Sequence, residues 1–135
     1  MENENKLSLF NGIQNKIYCS KEVETEEQKK DLFNALESCD ALLNDCVGQD
    51  IELKDIYVEE KQVQDENGEM KIKYRTILFD ANGQTYATGS YGIYNILRKI
   101  VGIYGTPDTW NEPIKVKVDK RPIGNGKSTL TLILK

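Results

Sequence analysis

The chain has 135 residues, 30% of them charged and 39% hydrophobic, and a net charge of −4, which fits one soluble domain with a modest core. No stretch approaches the ~18 consecutive apolar residues of a membrane span, and the start Met1-Glu2-Asn3-Glu4-Asn5 lacks the basic character of a secretion signal, so a cytoplasmic protein is expected. There is no histidine, and Cys19, Cys39 and Cys46 lack CxxC spacing; the commonest general base is missing, a disulfide framework and structural zinc are disfavoured, and neither a cofactor nor an enzyme is expected.

The N-terminal twelve residues read as solvated apart from Leu7, Leu9 and Phe10, which could cover an edge. Asn15 to Ser20 reads as a short strand. Thr25 and Gln28 then have the spacing of a capping box, and Leu32, Phe33, Leu36 and Cys39 form the apolar stripe of the helix it opens. Residues 40–48 read as a loop with Leu42 and Leu43 tucked inward.

From Asp50 the pattern alternates. Ile51 and Leu53 share a face, and Ile56 and Val58 share one after a slip in phase at Lys54-Asp55, which is the mark of a β-bulge. Gln64 to Gly68 reads as a hairpin tip. On the return strand Met70, Ile72, Tyr74, Thr76 and Leu78 fall on one face, with Lys71, Lys73, Arg75, Ile77 and Phe79 on the other. Asn82-Gly83 turns into a short strand at 84–88, and Ser90 caps a helix carrying Ile93, Tyr94, Leu97, Ile100, Val101 and Tyr104, which Gly105 and Pro107 end. Residues 113–120 alternate with Ile114, Val116 and Val118 inward; 121–127 read as a flexible turn, and 128–134 as a last strand with Leu130, Leu132 and Leu134 inward.

Strands at 50–62, 69–80, 84–88, 113–120 and 128–134, with a helix between the third and fourth, give the element order of the OB-fold. The expected architecture is mainly β: a five-stranded OB-like barrel at 49–135 with a strand–helix addition at 1–48, within a single domain.

Charge is divided unevenly along the chain. Residues 1–68 carry seven Lys against seventeen Asp or Glu, whereas residues 69–135 carry eleven Lys or Arg against five acids. A basic second half suits an anionic ligand. Lys71, Lys73 and Arg75 project from one strand and Lys115 and Lys117 from another, with Tyr57, Phe79, Tyr86 and Tyr91 on or beside the sheet and Arg121 and Lys127 at a hairpin tip. Single-stranded nucleic acid needs this mixture, cations for phosphates and flat rings for unstacked bases. Gly124-Asn125-Gly126-Lys127-Ser128-Thr129 resembles the end of a P-loop, but Arg121 stands where the first glycine belongs and a strand follows where a helix is required. Trp110 reads as a cap on the barrel end.

Gly83-x-x-Tyr86-x-x-x-Ser90-x-Gly92-x-Tyr94, Gly105-x-Pro107-x-x-Trp110 and Pro113-Ile114-x-Val116-x-Val118 together resemble the single-stranded DNA-binding proteins encoded by phages of Gram-positive bacteria. The resemblance covers about residues 50–135 and implies an OB-fold protein that coats strands exposed during phage replication or recombination. Many bacterial proteins of this class end in an acidic, partner-recruiting tail; this chain ends Leu132-Ile133-Leu134-Lys135, so recruitment of replication proteins would need another surface. The expected partner is single-stranded DNA. The sequence does not separate DNA from RNA, and it leaves homo-oligomerisation open. The alternative from another class is a phage module that binds a host factor through the acidic half.

Overall fold

The computed structural model describes residues 15–135; the expectation for Leu7, Leu9 and Phe10 lies outside them. The elements are β1 (Asn15–Cys19), α1 (Glu26–Glu37), β2 (Ala41–Leu42), β3 (Asp50–Gln64), β4 (Met70–Asp80), β5 (Thr85–Thr88), α2 (Tyr91–Tyr104), β6 (Ile114–Gly124) and β7 (Lys127–Leu134). Short 3₁₀ turns occupy Leu43–Cys46 and Pro107–Thr109. The strands form one sheet in the order β2-β5-β4-β3-β6-β7, with β1 also paired to β3. The fold is mainly β, an OB-like sheet curled into a half-barrel, with β1 and α1 as the N-terminal addition.

β3 organises the curl. One of its edges pairs with β4 from Leu53 to Gln64, while the other pairs with β6 over Asp50–Leu53 and with β1 over Tyr57–Lys61. The register shift between Leu53 and Asp55 falls where the sequence slips in phase, and a bulge bends a strand enough for one edge to serve two partners. Inside the curl, Leu43, Leu53, Leu78, Ile93, Val116 and Val118 are fully buried and form the main core with Leu97 and Ile100.

The outer face of the sheet carries a second core. α1 lays Leu32, Ala35 and Leu36 over Tyr57, Ile77 and Phe79. Its start is built as the sequence requires: Thr25 Oγ1 accepts from Gln28 N at 3.1 Å and Gln28 Oε1 accepts from Thr25 N at 3.0 Å. Three expected inward residues, Phe33, Leu42 and Leu134, are exposed, Leu134 because it is the last residue of β7 and lies past the end of the core. A 3.6-residue turn places Phe33 beyond the margin of the stripe that meets the sheet, and Leu42 lies on the two-residue strand β2, whose inward neighbour is Leu43.

α2 takes the place of a closing strand pair. Among the described residues β7 pairs only with β6 and the β5 edge holds only β2, so β5 and β7 make no hydrogen-bonded ladder. The first turn of α2 packs against β7 at Gly92, where a Cβ would lie 2.5 Å from Thr129 Oγ1 and 2.6 Å from the Leu130 carbonyl oxygen. Ser90 caps the helix, its Oγ accepting from Ile93 N at 3.4 Å. Ser90→Ala should cost roughly 0.5–2 kcal/mol, toward the low end for so long a bond, read as a lowered denaturation midpoint.

The segment 121–127 is an ordered hairpin. β6 runs to Gly124 and β7 starts at Lys127, so only Asn125 and Gly126 turn, at φ of 53° and 73°. Asn and Gly are the residues that accept such angles, and their pairing extends the strands on both sides of the turn. The strand after Lys127 also removes the helix N-terminus that a phosphate-binding loop would require.

Candidate nucleic-acid interface

β4 is eleven residues long, more than the core beneath it can cover. Thr76 and Leu78 are buried inside the curl, but on the same face Met70 and Ile72 are exposed, and Tyr74 stands at the boundary. Tyr74 meets the first turns of α2. Its ring centroid lies 4.2 Å from that of Tyr94 and 5.4 Å from that of Tyr91, with Tyr91 and Tyr94 6.0 Å apart. Tilted rings at these separations are mutually attractive and hold one another in place. Tyr91 remains 55% exposed, so a large part of its ring is open to solvent. The cluster is bracketed by β4 on one side and, through Gly92, by β7 on the other.

Cations flank the rings. The Arg98 guanidinium stands 5.9 Å from the Tyr94 ring centroid, one helical turn farther along α2. Tyr94 and Arg98 also line a groove of about 420 Å³ between α2 and the β1–β3 pair, where Lys16 joins them from β1. On the β6–β7 hairpin, Lys120, Arg121 and Lys127 are exposed; Lys120 pairs opposite Leu130 and Arg121 opposite Thr129, the two residues that Gly92 abuts. A ring cluster with one face open at Tyr91 and cations on two sides suits a flexible polyanion whose bases are unpaired.

The family model described as phage single-stranded DNA-binding protein (phi29 type) matches residues 11–135. The chain belongs to this family. Searches of the curated proteins and of the solved structures gave no match. As a phage single-stranded DNA-binding protein it has no helix, among the described residues, long and apolar enough to cross a membrane.

Of the rings the sequence singled out, only Tyr91 stands open to a strand. Tyr57 and Phe79 are 4% exposed and Tyr86 7%, so the expectation that these three stack on bases is corrected. Alternation does put Tyr57 and Phe79 outward from the curl, but α1 covers that face; Tyr57 OH donates to Glu59 at 3.0 Å, and Lys21 Nζ stands 5.0 Å from the Phe79 ring centroid. Tyr86 pairs opposite Leu78 and points into the main core, its hydroxyl donating to Asp80 at 3.0 Å.

The predicted cations divide between surfaces. Lys71, Lys73 and Arg75 lie on the face of β4 opposite Tyr74, separated from the tyrosine cluster by the sheet itself. Lys71 pairs with Asp65 at 3.5 Å, and the Arg75 guanidinium donates to the Leu36 carbonyl, one of the acceptors that the end of α1 leaves unsatisfied. Lys115 and Lys117 lie on the outer wall directly opposite Glu52 and Asp50. Arg121 and Lys127 belong to the hairpin beside the cluster.

Tyr74, Tyr94, Arg98, Lys16 and Lys120 escaped the sequence reading. The signal for two of them was present: Tyr94 and Arg98 follow the candidate Tyr91 at steps of three and four residues and so share its helix face. For Tyr74 it lay in strand length, since a hairpin with its tip at residues 65–69 carries β4 well past the end of a small core.

Two phenols are held neutral far above physiological pH. Tyr94 is raised to about 12, first because its hydroxyl donates to Glu60 at 2.5 Å and then because it is desolvated; Tyr86 is raised to about 12, first by burial and then by its bond to Asp80. Burial likewise lifts Tyr57 and Tyr74. A raised folded-state value gives stability that is complete below the ordinary tyrosine value near 10 and is lost as pH rises through the folded value. The melting midpoint should therefore show no tyrosine-linked loss below about pH 10 and should fall between about pH 10 and 12. Tyr94→Phe, which removes one of these titrations, should shallow that alkaline decline.

Proposed function

We propose that this protein coats single-stranded DNA exposed during phage genome replication or recombination, binding without regard to sequence and without chemistry of its own, in the bacterial cytoplasm. The observation that carries this reading is the Tyr74–Tyr91–Tyr94 cluster, with Tyr91 open to solvent, set between two hairpin arms in a chain of this family. Bases stack on the rings because every base has a π-face, which explains tolerance of sequence. Arg98, Lys16, Lys120, Arg121 and Lys127 supply the phosphate contacts. In this reading the whole chain acts as one domain, since Lys16 comes from the N-terminal addition and the rings from the barrel. The alternative, a host-factor module acting through the acidic half, gains no support from the family match, and the apolar face of α1 is already spent on the sheet.

The test is equilibrium binding of a labelled oligonucleotide across a salt series, with unlabelled single- and double-stranded competitors. Affinity should fall linearly on a log–log plot with a slope of about −0.7 per phosphate contact. Duplex should compete poorly, because its bases are not free to stack. Equal competition by duplex, or no binding at low salt, would overturn the proposal.

A further inference from the structure

We infer that the groove between α2 and the β1–β3 pair is a pocket for one unstacked base of the bound strand; this rests on the tyrosine cluster being the strand's stacking platform. Tyr94 belongs to both features: its ring packs on Tyr74, and it lines the groove, so a strand on the platform reaches the groove without a break. Ile56 and Val58 of β3 form the floor, with Leu97 and Val101 of α2 as one wall, and the lining is mainly apolar. At about 420 Å³ the groove is within the size range of small-molecule sites, enough for a flat heterocycle.

The mouth decides the occupant. Lys16 and Arg98 border it from opposite sides, β1 and α2, which is the charge an inserted base's flanking phosphates require. The acid among its lining residues, Glu60, is engaged by the Tyr94 hydroxyl and presents a carboxylate oxygen for exocyclic amino groups. Gly102 lines the same groove, and a Cβ built there meets nothing within 4 Å.

The open space at Gly102 provides the test. Gly102→Leu places a side chain into the groove while improving helix propensity, so folding should be kept. Two strands of equal length and charge are compared on the full-length protein, one normal and one made wholly of abasic residues. Gly102→Leu should weaken binding of the normal strand about tenfold, as expected for the loss of one base contact, and leave the abasic strand and the salt slope unchanged. If Gly102→Leu binds the normal strand like the parent, the pocket is wrong even where Tyr91→Ala still weakens binding. Equal weakening of both strands overturns it as well, since the loss would then be in phosphate contacts. A changed sedimentation coefficient, or a lowered melting midpoint with both affinities intact, assigns the groove to a second copy or to the chain's own N-terminal residues. Should Gly102→Leu misfold, Val101→Phe fills the groove from the neighbouring position and faces the same criteria. Parent protein that binds both strands equally would overturn the stacking platform itself.

Discussion

Tyr91→Ala should weaken single-stranded DNA binding by ~1–3 kcal/mol, the usual worth of one stacked base, and the Tyr74→Ala/Tyr91→Ala double variant should lose more. The two rings are 5.4 Å apart and orient each other, so the losses should not add simply. Neither phenol carries a counterion, and the slope of affinity against salt should therefore stay that of the parent while the whole line drops. Tyr91→Phe should bind nearly as well, because stacking uses the ring. Tyr91 is largely exposed, so its removal should barely alter the melting midpoint; Tyr74 is more enclosed, and melting of the double variant must be measured beside its binding. If the double variant is folded and binds like the parent, the strand lies elsewhere, and the outward stripe of Lys71, Lys73 and Arg75 becomes the next surface to test.

Gly92→Ala and Gly102→Ala make a matched pair on one helix with opposite expected signs. Each replaces glycine by the best helix former, a gain of up to about 1 kcal/mol in a helix interior and less near its start. At Gly102 nothing opposes that gain, and the variant should melt higher. At Gly92 the new methyl meets the Leu130 carbonyl oxygen at 2.6 Å, and a backbone atom in a paired strand cannot swing aside. Relief requires α2 to move away from β7, and overpacking of this kind costs ~1–3 kcal/mol, which outweighs the propensity gain. The same movement would shift Tyr91 and Tyr94 relative to Tyr74, so DNA affinity should fall along with the midpoint. A Gly92→Ala protein as stable as the parent would mean that α2 does not close the barrel through this contact.

The local elements of this protein follow from features that act over a few residues. Alternation set β3, β4, β6 and β7; the Thr25–Gln28 box and Ser90 set the helix starts; and the phase slip at Lys54-Asp55 marked the bulge. Each depends on side chains within one turn or one strand pair, which is why the OB-like order was legible in the sequence. Alternation tells which residues share a face of a strand, but not what covers that face. Tyr57 and Phe79 share a face with Lys73 and Arg75, and only the packing of α1 makes one end of it a core and leaves the other in water. Tyr74 shares a face with Leu78, and only the place where the core ends leaves its ring beside Tyr91 and Tyr94 instead of sealed inside. Burial depends on partners distant in the chain, here α1 lying over β4 and α2 wedged against β7, and no local periodicity carries that information.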